Sequence, residues 1–325
     1  MRTPILAALF ALPALGTAQQ HAEVGQKVPD ATFPAFVNGD GRQKLSEFYG
    51  HPVVIDQWGT RCPPCIGFAV PNAIKHDHEL AAQGLVTILV ESQGAESTYH
   101  EAFLWQQFAD NRCFSCTGTH VPVPQASGLP YCAVIGVDGT LLWVGSPVAT
   151  PKAIDDLVGA ELLKVQKGWG DTPAQRKVRA ALFGKNDLAA AQALVAALPE
   201  GAERTLLQAE IDARYASKKV AIATLQEQGD WLKAQSAAKA LLKSVGAQAE
   251  WIAEMQPLVA QFDTAEAKAE MAAAKKLDKV FDMLRNKKGE AAPKAIEAIL
   301  KDAKDTKVGA RAERLLAALR TEVAR

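Results

Sequence analysis

Two cysteines separated by two prolines, Cys62-Pro63-Pro64-Cys65, follow the apolar run Val53-Val54-Ile55-Asp56-Gln57-Trp58 across the short link Gly59-Thr60-Arg61. Thiols at this spacing can cycle between dithiol and disulfide, so the chemistry they suggest is thiol-disulfide exchange. At the start of a helix, Cys62 would face N–H groups that lack intrahelical partners and the positive end of the helix dipole. That setting lowers a thiol pKa from its usual value of about 8.5. Cys62 is therefore the expected nucleophile. Cys65, one turn further on, is expected to attack the mixed disulfide and release the reduced product. Arg61 favours the thiolate if its side chain turns inward and is a solvated surface charge if it does not.

A second pair, Cys113-Phe114-Ser115-Cys116, lies in a polar stretch that ends in Thr117-Gly118-Thr119-His120, with no strand before it and no clear helix after it. The first reading is a structural disulfide between Cys113 and Cys116 that pins a loop. A relay exchanging electrons with Cys62 and Cys65 and a metal site using His120 stay open, the last weakened because structural zinc takes four protein ligands. Cys132 is the odd cysteine; in an apolar strand it reads as a buried free thiol. His76 and His78, two apart on a helix, do not share a face, so no metal pair is expected there. No metal and no cofactor is expected elsewhere.

The elements that must position these residues alternate between strand and helix. Short, turn-bounded β-rich runs cover Val53 to Trp58, Leu85 to Glu91, Cys132 to Val137 and Leu141 to Val144. Val137-Asp138-Gly139-Thr140 predicts a tight hairpin, because Asp-Gly supplies the positive-φ positions such a turn needs. The sheet should therefore close with an antiparallel pair.

Beyond about Trp169 the composition changes. The chain becomes alanine-rich, all five cysteines lie behind it, and apolar residues recur at helical spacing, as in Leu207, Ile211 and Tyr215. Three segments share a pattern of helix end, glycine (Gly184, Gly229, Gly289), acidic residue (Asp187, Asp230, Glu290) and second helix. These resemble degenerate tetratricopeptide-type hairpins without one fixed period. The reading is an α/β domain over 19–168 followed by an all-α helical-hairpin domain over 169–325.

The 325 residues carry 36 Lys+Arg and 36 Asp+Glu, so no overall field recruits nucleic acid or an anionic membrane. The Lys275-Lys276 and Lys287-Lys288 pairs read as solvated helix faces, since no aromatics interleave them. Residues 1–173 hold 10 basic against 16 acidic side chains and the remainder 26 against 20, so the two halves are mildly opposite in sign. Residues 1–18 read as a signal peptide: one Arg, an uncharged run from Ile5 to Leu15, then small residues before Gln19. That run is shorter than the roughly 20 residues a membrane span needs. An exported protein, periplasmic or extracellular and soluble once cleaved, would keep its cysteines in an oxidising compartment.

Strand, tryptophan, CPPC, the later Gly128-Leu129-Pro130 and the hairpin together resemble the thioredoxin superfamily, and within it the secreted TlpA/ResA-type thiol-disulfide oxidoreductases. The openings Gly25-Gln26-Lys27-Val28-Pro29-Asp30 and Leu45-Ser46-Glu47-Phe48-Tyr49-Gly50 add to the likeness, which covers about residues 23 to 165. The resemblance implies a thioredoxin fold, a cis-proline at Pro130 facing the cysteines, and a client laid along Leu129, Trp58 and Arg61. It also implies that Asp56, six residues before Cys62, is a buried carboxylate that takes the resolving thiol's proton. The sequence departs from the family where Gln57 and Arg61 replace aromatic residues. Its helix proline, Pro71, also stands one residue further from the CxxC.

The expected function is exchange of disulfides in client proteins, with a membrane-linked electron donor or acceptor and a protein partner on the helical half. Two rivals stay open. One is a non-catalytic scaffold with a static disulfide. The other is a thiol peroxidase, although the Pro-x-x-x-Thr-x-x-Cys turn of that chemistry is missing.

Overall fold

A computed structural model describes residues 21–124, 127–286 and 288–323. The expected leader at 1–18 lies outside the described residues. In chain order the first half contains β1 (Val53–Trp58), α1 (Val70–Leu80), β2 (Val86–Glu91), α2 (Ser97–Gln107), β3 (Phe114–Thr117), β4 (Tyr131–Ile135), β5 (Leu141–Gly145) and α3 (Pro151–Lys167). The sheet order is β3-β2-β1-β4-β5. β1 runs parallel to β2 and β2 parallel to β3, while β4 runs antiparallel to both β1 and β5. This mixed five-stranded sheet with flanking helices is a thioredoxin fold.

β1 and β2 are buried at every position, as expected for central strands covered on both faces. Side chains alternate between those faces. Val53, Ile55, Val86, Ile88 and Val90 pack with Phe33, Phe36 and Phe48 on one side. On the other, Trp58 and Leu89 pack under α1 and α2, and Val54, Cys132 and Val134 pack under α3. Asp56 has the parity of Val54 and Trp58, which places it on the helix-covered face.

The hairpin between β4 and β5 forms as its Asp-Gly pair predicts. Gly139 takes φ +83°, and the Gly136 N–H donates to the Thr140 carbonyl at 2.8 Å. β3 is the strand the sequence does not announce. It is four residues long and mixes Cys, Ser and Thr with one Phe, so it lacks the β-branched alternation that marks the other strands.

The second half contains α4 (Pro173–Arg179), α5 (Leu188–Ala196), α6 (Ala202–Glu227), α7 (Trp231–Ser244), α8 (Ala249–Ala260), α9 (Ala265–Arg285), α10 (Ala292–Ala303) and α11 (Lys307–Arg320). Breaks fall at all three glycine-acid joints. Asp187 caps α5 by accepting from the Ala190 N–H at 2.9 Å. Gly229, at φ +77°, lies so close to α11 that a Cβ there would sit 2.5 Å from the Lys307 carbonyl oxygen. Asp230 makes no side-chain cap bond to its own helix and instead pairs with Lys233 at 3.2 Å and Arg311 at 3.1 Å. Glu290 sits in a single 3₁₀ turn that leads into α10. Among the described residues no helix is long and apolar enough to cross a membrane.

The helices pack on the sheet half through aromatic and polar contacts. Trp105 of α2 stacks on Phe281 of α9 with ring centroids 5.2 Å apart, and Gln106 Nε2 donates to the Thr321 carbonyl at 3.1 Å.

Candidate functional site

Cys62 and Cys65 are joined as a disulfide with their Cα atoms 5.2 Å apart. The Cys65 N–H donates to Cys62 Sγ at 3.3 Å. Once the bond is reduced, the same N–H faces the sulfur that carries the thiolate charge, which favours the charged form. Cys62 keeps a small exposed surface, 6%, and Cys65 keeps none, so only the first residue of the pair is open to solvent. Around the pair, Pro63, Pro64, Gly67 and Phe68 are exposed, giving the disulfide an apolar rim.

The helix begins with an irregularity that explains the displaced proline. Cys65–Ala69 form a π turn, in which the Val70 N–H bonds the Cys65 carbonyl, and α1 begins at Val70 with Pro71 in its first turn. A π turn holds one residue more than an α turn. The extra residue between Cys65 and Pro71 is absorbed there, so α1 still presents Val70, Ala73 and Ile74 to the sheet.

The loop before Cys62 is held by two residues outside the sequence motifs. Glu91, fully buried at the end of β2, accepts from the Thr60 N–H at 3.4 Å, the Gln93 N–H at 3.2 Å, the Ala95 N–H at 2.8 Å and the Thr117 hydroxyl at 3.3 Å. Gln93 Oε1 accepts from the Arg61 N–H at 2.8 Å. The available signal was an acidic residue at the last, inward position of an apolar strand, where a carboxylate must find donors.

Arg61 resolves to the exposed alternative. Its Nη2 donates to the Gln93 carbonyl at 3.2 Å, so the guanidinium braces the loop and does not turn toward Cys62. Leu129 joins Pro130 through a cis peptide bond directly before β4, and it packs against the apolar cluster that contains both cysteines. Trp58 requires a correction. Its side chain is wholly buried against His100, Phe103 and Phe108, so it supports the site from below and offers a client no surface. His100, also buried, is pushed down to about 4 by desolvation and is a neutral core residue.

Asp56 is buried as expected. Desolvation pushes its carboxyl up to about 7, and Oδ1 has no hydrogen-bond partner among the described residues. Near neutral pH such a group can accept or hold a proton.

The disulfide expected between Cys113 and Cys116 is not present; both are free and buried. Cys113 lies just before β3 and Cys116 within it, and the two side chains pack on opposite faces of the sheet. Cys113 packs with Trp58, Cys62, Cys65 and Ala73 on the helix-covered face, its Sγ 3.9 Å from the Ala73 carbonyl. Cys116 packs with Val53, Ile55 and Val90 on the other. Burial raises both thiols, Cys116 to about 12, which keeps them protonated. Cys132 is a buried free thiol in β4, as read from the sequence. His76 and His78 diverge, the first 3.4 Å from Asp155 and the second 3.0 Å from the Asp110 carbonyl.

No protein-family model and no curated protein matches the chain. Solved structures do resemble its first half. One is a Chlorobium tepidum protein described as a thiol:disulfide interchange protein DsbE, 23% identical over 43% of this chain and 99% of its own, with a TM-score of 0.37. A thioredoxin family protein from Chlorobium tepidum TLS, also described as a thiol:disulfide interchange protein, is 17% identical over 43% and 99%, at 0.33. A thiol-disulfide isomerase from Corynebacterium glutamicum is 15% identical over 41% and 96%, at 0.32. The fold rests on the sheet order described above.

Proposed function

We propose that the protein is a thiol-disulfide oxidoreductase that acts on client proteins outside the cytoplasm through Cys62 and Cys65. The observation that carries this reading is the hydrogen bond from the Cys65 N–H to Cys62 Sγ, in the only residue of the pair open to solvent. In the reducing direction the Cys62 thiolate attacks one sulfur of a client disulfide. A Cys62–client bond forms and the client's other sulfur leaves as a thiolate. Cys65 then gives its proton to the Asp56 carboxylate and attacks Cys62 Sγ. The second client thiolate leaves, two electrons have passed to the client, and Cys62–Cys65 is again a disulfide. Running the steps backwards oxidises a client dithiol.

The cis Leu129–Pro130 segment and the apolar rim at Phe68 are the surface on which a client strand lies in this reading. The domain over 169–325 holds a protein partner, and a membrane-linked carrier restores the redox state of the pair. Reduction of insulin disulfides with dithiothreitol as electron source tests the activity, and the Cys65→Ser variant should accumulate mixed disulfides on Cys62. A protein that does neither is a scaffold with a static disulfide. The reduction potential of the pair, titrated against glutathione, gives the direction. A value near −270 mV, about that of thioredoxin, marks a reductase, and one near −120 mV, about that of the strong oxidant DsbA, marks an oxidase.

A further inference from the structure

A cavity of about 660 Å³, lined by neither Cys62 nor Cys65, lies between the sheet half and helices α6 and α7. Its volume is in the range of small-molecule sites. Its polar lining is unbalanced. Arg42, Arg214 and Lys218 lie inside it and Arg112 and Lys233 at its exposed rim, with only Asp40 and Asp77 as carboxylates.

Those carboxylates do not neutralise the cluster. Asp40 is taken up by Arg42, whose Nε and Nη2 both donate to it at 2.6–3.0 Å. Asp77 faces Arg112. Lys233 is matched from outside the cavity by Asp230 at 3.2 Å. Asp40 attracts Arg214 and Lys218 as well, but neither makes an ion pair among the described residues. Arg214 reaches only neutral partners, the Glu47 carbonyl and His51 Nε2, both at 3.4 Å, and its Nε is cut off from solvent with no partner among the described residues. Lys218 makes no hydrogen bond or ion pair among the described residues. Burial, followed by repulsion from Arg214 and Arg42, pushes Lys218 down to about 8, and burial with repulsion from Arg42 pushes Arg214 down to about 10. His51 is driven down to about 3, chiefly by burial, and adds no charge.

Crowding like charges in a desolvated place is costly unless an anion joins them. Two cations without an ion pair and a third guanidinium alongside call for a compact group carrying two or three negative charges. A diphosphate supplies these in one unit, where carboxylates would need two or three separate groups, and arginine forks match phosphoryl oxygens. Part of the lining is apolar, formed by Leu85, Val86, Ile222, Leu225 and Leu241, and has room for an organic portion. We propose that this cavity binds an organic diphosphate, with the phosphoryl oxygens on Arg214, Lys218 and Arg42 and the carbon skeleton against the apolar wall.

Calorimetry and thermal-shift measurements on the full chain test the proposal, using three probes: inorganic pyrophosphate, adenosine diphosphate, and phosphatidylcholine vesicles doped with farnesyl diphosphate. Pyrophosphate should raise the melting temperature, and one of the two organic probes should bind at least about tenfold more tightly than pyrophosphate. A gain for adenosine diphosphate identifies a soluble ligand and a gain for the vesicles a lipid-linked one; either supports the site. Arg214→Gln and Lys218→Gln should each weaken pyrophosphate binding about tenfold or more while insulin reduction stays at the wild-type rate. If Arg214→Gln does not fold, Lys218→Gln carries the test. Absence of a shift with pyrophosphate at about 5 mM, no gain for either organic probe, or undiminished binding by Lys218→Gln overturns the proposal.

Discussion

Asp56 and Cys132 stand directly opposite each other across the antiparallel pairing of β1 and β4, both buried on the face that the helices cover. The thiol is held protonated by burial and by the neighbouring carboxylate, while the carboxylate is raised to about 7 by desolvation alone. Desolvation alone therefore favours the protonated carboxyl beside the Cys132 thiol, since Oδ1 finds no hydrogen-bond partner among the described residues.

That arrangement gives Asp56 a signed effect on stability. Its folded pKa of about 7 lies above the ordinary 3.8, so the folded protein binds the extra proton between those values. The stability it contributes is complete below about pH 4 and is lost as pH rises through 7, a gap equivalent to about 4 kcal/mol. His100, depressed to about 4 by burial, acts oppositely, destabilising the fold as pH falls below its unfolded value of 6.5. His51, driven down to about 3 chiefly by burial, acts the same way, so the wild-type profile mixes these groups, and the difference between wild type and Asp56→Asn isolates the carboxylate. Asp56→Asn should match wild type near pH 4 and exceed it by about 1–4 kcal/mol at pH 8 in urea unfolding. It should also slow resolution of the Cys62 mixed disulfide about 10²-fold at pH 7. Parallel stability profiles for the two proteins would remove the buried proton from the account.

Cysteine labelling separates the two readings of the second pair. Denatured but unreduced protein should alkylate at three positions, Cys113, Cys116 and Cys132, and reduced protein at all five. Native protein should resist labelling at the three, since burial holds their thiols protonated. Intact mass after iodoacetamide treatment reads the count directly. A single labelled cysteine in the denatured, unreduced sample would restore a Cys113–Cys116 bond.

What the sequence made legible were features whose cause is local. The run Val53 to Trp58 is apolar enough to be a central strand, Asp138-Gly139 has one favoured turn, and CPPC next to a strand end has one common use. The extra residue before Pro71 was visible as a spacing, but its outcome as a π turn depends on how α1 seats against the sheet. β3 was missed because its partner, β2, supplies the pairing that its own four residues do not signal. Trp58 stands beside the motif, a position that suggests the client surface and says nothing about burial. Glu91 is signalled only as an acidic residue ending an apolar strand, with its link to Thr60 set by the fold, and Arg214 takes its role from residues far away in the chain, which no local pattern announces.

Glu91 should matter for both stability and rate. It gathers three backbone N–H groups and a hydroxyl from the loops on either side of the cysteines. Glu91→Gln keeps the shape but turns one acceptor oxygen into an NH₂ group facing N–H donors. The cost should be about 1–3 kcal/mol in urea unfolding, with a fall in insulin reduction as the Gly59–Arg61 link loosens. Glu91→Asp keeps the charge but shortens the reach, and should restore neither property; an unchanged Glu91→Gln protein would show that the link is held by Gln93 alone.

The two halves should come apart most readily at Phe281. Its ring stacks on Trp105 and receives the guanidinium of Arg311 at 5.0 Å and of Arg285 at 5.9 Å, so one side chain joins α2 to α9 and α11. Phe281→Ala removes a buried ring, a loss of about 3–5 kcal/mol in a core that cannot collapse. The thioredoxin-fold half keeps its own sheet and aromatic clusters, so the loss should appear as separation before it appears as unfolding. The measurements are limited proteolysis, with new cleavage near Gly168–Asp171, and small-angle scattering, with a larger radius of gyration. Insulin reduction should persist, because Cys62, Cys65 and the cis Leu129–Pro130 segment all lie within the sheet half. Loss of activity in parallel with separation would instead show that the helices hold the catalytic face in its working shape.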